Sequence, residues 1–264
     1  EDLIGILEAK AGMAMGDETA FRLQIGQILE RNIGDMERAI RCYEEILDFD
    51  DTQRDALHRL LDLYAVGDNF EKLTGVYERL LDTAQTDDER LEFCEKLALL
   101  QRQVQDDAEA AADYYHRMLT IDPNHAGALA ALEEIYEGLE HWEDLIDVYR
   151  RHLEQLWSSM TATEESEGEG ADGGGVNYEE EWINYQGKVA NVYRVRLNDP
   201  DSAIDAYRTL LEQEASNWDS LDALEQLYRD AEQPEAVQDI LARKATHGAT
   251  ADERNELMTA RAEI

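Results

Sequence analysis

Six histidines, two cysteines and a large excess of carboxylates are the side chains in this sequence with the chemistry to hold a metal, move a proton or attack a substrate. The histidines, His58, His116, His125, His141, His152 and His247, are scattered, with no HExxH and no i, i+4 pair that would aim two imidazoles at one ion. They read as surface or boundary residues. Cys42 and Cys94 lie far apart without a CxxC spacing, each inside an apolar helical pattern. They are expected as free, buried thiols that pack as small hydrophobes. Acids cluster at Asp48, Asp50 and Asp51, at Asp87, Asp88 and Glu89, and at Asp199 and Asp201. None has the DxDxDG spacing of a calcium loop, and short acids at helix starts serve the backbone N–H groups there. No GxGxxG, GxxxxGK[ST] or GxSxG element offers a phosphate cradle or a nucleophile elbow. The expectation is a protein that is not an enzyme, with no catalytic residue, cofactor or metal site.

Charge narrows the partners. The 264 residues include 24 Lys and Arg against 61 Asp and Glu, a formal charge of −37. Phosphate recognition depends on clustered cations, so nucleic acid is excluded as a partner class, and an anionic membrane surface is disfavoured. No apolar run is long enough to insert in a bilayer. Localisation is left open, with a soluble, cytoplasmic protein as the expectation.

The elements that position these side chains repeat. Ala39, Tyr43, Leu57, Leu60 and Tyr64 recur 72 residues later as Ala111, Tyr115, Leu129, Leu132 and Tyr136, and 92 residues after that as Ala203, Tyr207, Leu221, Leu224 and Tyr228. The longer second shift is accounted for by an acidic, Gly- and Ser-rich stretch at 158–177, read as a flexible insertion between repeats at 1–157 and 178–264. Tyr43, Tyr77, Tyr115 and Tyr149 show a half-period near 34. Two helical patterns per half-period predict stacked helix pairs. Fourteen helices are expected, at 1–15, 18–32, 36–48, 53–66, 70–83, 88–104, 107–120, 125–138, 142–157, 178–196, 200–213, 217–230, 234–245 and 251–264. Capping boxes are read at Thr86 with Glu89, Asp106 with Glu109, Ser216 with Asp219 and Thr250 with Glu253. Pro123, Pro200 and Pro234 fall at junctions. The Tyr stripe is expected in the core, where Trp142, Trp182 and Trp218 also pack.

Leu129, Leu132 and Tyr136, the A-x3-Y pairs Ala39/Tyr43, Ala111/Tyr115 and Ala203/Tyr207, and Pro123 resemble the tetratricopeptide repeat. The glycine of the family's first helix is replaced by Leu61, Glu133 and Glu225, and its terminal proline by Asp51 and Ala215. The resemblance implies an all-α, right-handed superhelical solenoid that acts as a protein-interaction scaffold. It further implies that the first helix of each pair lines a concave groove. There Asp55, His58, Asp62, Glu134, Asp219 and Asp222 make the surface mainly acidic. Lys96 and Lys188 occupy equivalent positions but lack the asparagines of a carboxylate clamp, with Leu100 and Val192 at the next turn.

The expected partner is therefore a protein or peptide, basic or extended, in the groove. An alternative is head-to-tail self-assembly through Leu3, Ile4 and Leu7 at one end and Leu257, Met258 and Ile264 at the other. A third reading takes the acidity, with Arg dominating the few bases, as solvation in concentrated salt.

Overall fold

The computed structural model describes residues 2–13, 18–104, 106–166, 177–247 and 251–262, and among these it has fourteen α-helices and no strand. They are α1 (Asp2–Met13), α2 (Glu18–Ile28), α3 (Met36–Phe49), α4 (Arg54–Val66), α5 (Phe70–Asp82), α6 (Asp87–Gln103), α7 (Ala108–Ile121), α8 (Ala126–Leu139), α9 (Trp142–Ser166), α10 (Tyr178–Asn191), α11 (Pro200–Gln213), α12 (Trp218–Asp230), α13 (Pro234–Thr246) and α14 (Ala251–Ala262). Short π-helical turns, Leu29–Ile33 and Val192–Arg196, close α2 and α10. The chain divides into two compact units, Glu1–Ala131 and Leu132–Ile264. Within the first, helices from α1 to α7 each pack on the next in sequence, and within the second the same holds from α9 to α14.

The repeat is written into the backbone of the turns. Left-handed residues stand at Gly34 (φ 77°), Asp106 (54°) and Asn198 (52°), and again at Asp68 (50°), Glu140 (58°) and Glu232 (52°). Each follows the 72- and 92-residue shifts of the sequence. The first set is sealed by the amides of Asp35, Asp107 and Asp199, which donate to the carbonyls of Leu29, Gln101 and Tyr193. The second is sealed by Asn69, His141 and Gln233 donating to Tyr64, Tyr136 and Tyr228. These bonds satisfy carbonyls that a helix end leaves open. Asp35, Asp107 and Asp199 then cap α3, α7 and α11 by accepting from the amides three residues on.

Small residues opposite large ones set how closely the helices approach. Ala39, Ala111 and Ala203 are fully buried, and Tyr43, one turn after Ala39, is fully buried too. Gly26 in α2 faces that ring so closely that a Cβ there would lie 2.5 Å from its Cε1. Its repeat equivalents are the buried Ala98 and Ala190. Tyr115, Tyr149 and Tyr207 are buried and Tyr77 half-buried, so the Tyr stripe is core, held there mainly by apolar burial. Trp182 is buried, whereas Trp218 is 38 % exposed.

Three local expectations change. The boxes read from Asp106 and Ser216 are each shifted by one residue: the side chains that cap are Asp107 and Asn217, accepting from Ala110 and Ser220. Asp106 takes the left-handed turn position instead. Thr86 caps as expected by accepting from the Glu89 amide, while the Glu89 carboxylate accepts from the Gln85 amide, one residue before the cap. Thr250 lies outside the described residues. Finally, α9 does not stop at residue 157 but continues through Ser166. Trp157 rests on Trp182 with ring centroids 6.3 Å apart, and the hydroxyls of Ser159 and Thr161 satisfy themselves within the helix by donating back to the Gln155 and Trp157 carbonyls. The rest of the expected insertion, 167–176, is outside the described residues.

Candidate protein-interaction surface

In the first unit the expected site is built on α4 and α6. Asp55, His58 and Asp62 follow helical spacing along one side of α4 and are exposed, while their neighbours Ala56, Leu57, Leu60 and Leu63 are buried. Across from them α6 exposes Asp88, Glu92, Glu95 and Lys96 on the side opposite its buried Phe93, Cys94, Leu97 and Ala98. Arg54 pins the two helices: its guanidinium donates to both Glu89 carboxylate oxygens at 2.8 and 3.1 Å and to the Thr83 carbonyl. The Arg54 bonds, helped by the Gln85 amide, hold the Glu89 carboxyl below its usual range. Deeper in, burial pushes the Tyr77 phenol up, and the carboxylates of Glu92 and Asp62 add to the effect.

The second unit treats the expected residues differently. Glu134 and Asp219 are exposed. Asp222 is exposed but engaged, since Lys244 of α13 reaches it at 2.5 Å and Glu225 at the same distance. Lys188 is not a free cation: it pairs with Glu133 and lies over the rings of Tyr149 and Tyr185, at 5.3 and 4.6 Å from their centroids. Sequence alignment equates it with the exposed Lys96. The difference is what stands opposite, because the position of Glu133 is Leu61 in the first unit.

A polar cluster unforeseen in the sequence surrounds Lys188. The Tyr185 hydroxyl donates to Glu133 and the Tyr149 hydroxyl to Glu137, both at 3.3 Å. Burial first, and the Glu133 carboxylate second, push the Tyr185 phenol up to about 12. His152 stacks on Tyr185 with centroids 4.5 Å apart. The only advance signal was Glu133 standing where the repeat family carries glycine.

The residues expected at the two ends are split by burial. Ile4 and Leu7 are buried within their own chain, whereas Leu3 points outward at 56 % exposure. Leu257 is half-buried and Met258 is 50 % exposed, while Ile264 is outside the described residues. Cys94 is buried and Cys42 half-buried, and burial pushes both thiols up, as packing residues rather than nucleophiles. Among the described residues no group of three or more His, Cys, Asp or Glu could hold a metal ion, and no helix is long and apolar enough to cross a membrane.

Comparison with known proteins agrees with this architecture. Models of the tetratricopeptide repeat match residues 20–53 and 128–156, so the chain contains tetratricopeptide repeats. It is an all-α protein of helix-turn-helix repeats, the architecture of an interaction scaffold. No curated protein matches. Among solved structures it is similar to MamA (19% identity, 76% of this chain and 94% of that one, TM-score 0.37) and to a tetratricopeptide repeat protein from Parabacteroides merdae (14%, 98% and 91%, 0.38). It is also similar to PilW, a type IV pilus biogenesis factor (11%, 92% and 100%, 0.33).

Proposed function

We propose that the protein is a non-enzymatic scaffold whose helices α4 and α6 present an acidic face to a basic, extended segment of another protein. The observation that carries this is the α4–α6 surface of the first unit, where Asp55, Asp62, Asp88, Glu92 and Glu95 are exposed and Arg54 is already committed to Glu89. A net charge of −37 speeds encounter with cations and repels acidic chains. Fluorescence anisotropy with a labelled Lys/Arg-rich peptide at low salt tests it. Binding should weaken by about tenfold in Asp62→Lys/Glu92→Lys and fall steeply as salt shortens the screening length. Retention of only neutral or acidic peptides would overturn the proposal.

A second reading is self-association through exposed apolar residues, supported by Leu3 and Ile6 at 56 % and 53 % exposure on α1 and by Met258 on α14. Light scattering across concentration tests it: mass should grow with concentration and revert to that of a monomer in Leu3→Glu/Ile6→Glu. A wild-type chain that stays monomeric at high concentration removes this reading.

A further inference from the structure

We propose that His152 makes the contact between α9 and α10 a proton-operated joint, in which protonation of the imidazole drives it out of its stack on Tyr185 and loosens α10 from α9. The ring lies nearly parallel to Tyr185, at 13° and 4.5 Å between centroids. Its Nε2 is buried and has no hydrogen-bond partner. Neutral imidazole tolerates this arrangement, because stacking against an aromatic face offsets part of the lost hydration. An imidazolium is disfavoured there, since His152 is half-buried and the positive charge would bring an unpartnered N–H at the buried Nε2.

Most of the charged and titratable groups facing His152 are already engaged with other partners. From α8, Glu133 already accepts from the Tyr185 hydroxyl and the Lys188 ammonium, and Glu137 accepts from Tyr149 of α9. From α10, Lys188 stands close enough to oppose a second positive charge, and Glu181 is the remaining carboxylate that favours one. The π turn after α10 is occupied elsewhere: Arg194 lies over Tyr207, Arg196 over Trp142, and Tyr193 accepts from Arg150. Protonation draws the ring from the stack toward Glu181 or into competition with the donors already on Glu133.

The repeat supplies the contrast. The same position is Leu80 in the first unit, fully buried and apolar, and Lys244 further along the second, a permanent cation served by Asp222 and Glu225. At His152 alone of the three can the charge be switched near neutral pH. Burial holds the imidazole below its ordinary value of about 6.5, outweighing the pull of Glu133 and Glu181. The contribution of the neutral ring is therefore complete above about pH 6.5 and is lost as pH falls toward the depressed folded-state value.

Side-chain and amide NMR of the full chain from pH 8 to 5, with His152→Leu as the reference, tests this. Leu is the residue the first unit uses at this position. One histidine ring signal, absent from His152→Leu, should titrate with a midpoint below 6.5, and the amides of α10 around Tyr185 should shift with the same midpoint. The melting temperature of the wild type should fall several degrees further than that of His152→Leu between pH 7 and 5.5. Should His152→Leu fail to fold, sequential assignment of His152 in the wild type gives the same two midpoints. A His152 midpoint at or above 6.5, or α10 amides that do not follow it, overturns the proposal.

Discussion

Leu61 and Leu80 in the first unit occupy the repeat positions of Glu225 and Lys244 in the second. Leu80 is fully buried with Leu61 packed on the same cluster, whereas Lys244 is buried at 4 % exposure and paired. One backbone register thus accepts an apolar pair or an ion pair. Burial alone would raise the Glu225 carboxyl, but hydrogen bonds from Lys244 and Arg229 outweigh it and hold the group low. The fold is set by turns and by small residues facing large ones, while this position is free to carry different chemistry. Burying two charges and pairing them is close to neutral against a hydrophobic pair, so either solution survives.

The largest expected effect comes from breaking the polar solution on one side only. Glu225→Leu leaves the Lys244 ammonium buried with the exposed Asp222 as its remaining acid, and should cost about 2–4 kcal/mol by urea denaturation. Adding Lys244→Leu, to recreate the first unit's pair, should recover the loss to within about 1 kcal/mol. Next in size is Gly26→Ala. Ala98 and Ala190 are accommodated at this position, but the Tyr43 ring sits where a Gly26 Cβ would go, so about 1–3 kcal/mol is lost despite better helix propensity.

A smaller effect of opposite sign separates the turns. Gly34 meets the left-handed requirement without strain, whereas Glu140 and Glu232 meet it with a side chain. Glu140→Gly or Glu232→Gly should each raise stability by about 0.5–1 kcal/mol, read as a higher melting temperature. The smallest effect is at the surface, where Arg90→Ala removes an exposed i, i+3 pair with Asp87 and should change stability by less than about 0.5 kcal/mol.

Helix positions were legible because periodic apolar residues and repeated turn residues point the same way. The caps at Asp107 and Asn217 were misread by one residue because Asp106–Glu109 and Ser216–Asp219 have the spacing of a capping box too. For Asp107, what separates the two readings is the left-handed turn that recurs at 34, 106 and 198, a register visible only when the three turns are laid over one another. The fate of Lys96 and Lys188 was not legible from their own positions. It depends on Leu61 and Glu133, on a different helix more than thirty residues upstream of either. The extension of α9 was not legible for a related reason: its residues are polar and leave no apolar period, and its hydroxyls bond within the helix.

The matching torsions at Gly34, Asp106 and Asn198 also bear on how such a chain changes length. Residues 35–106 begin with an aspartate cap and end in a left-handed turn, so cutting them out joins Gly34 to Asp107, a bond between two ends already shaped for one another. Duplicating the same segment joins Asp106 to Asp35 with equal ease. Unequal recombination at these junctions would hand the next copy a finished corner, and the cost of a longer or shorter array falls on the side chains that must find new neighbours rather than on the path of the main chain.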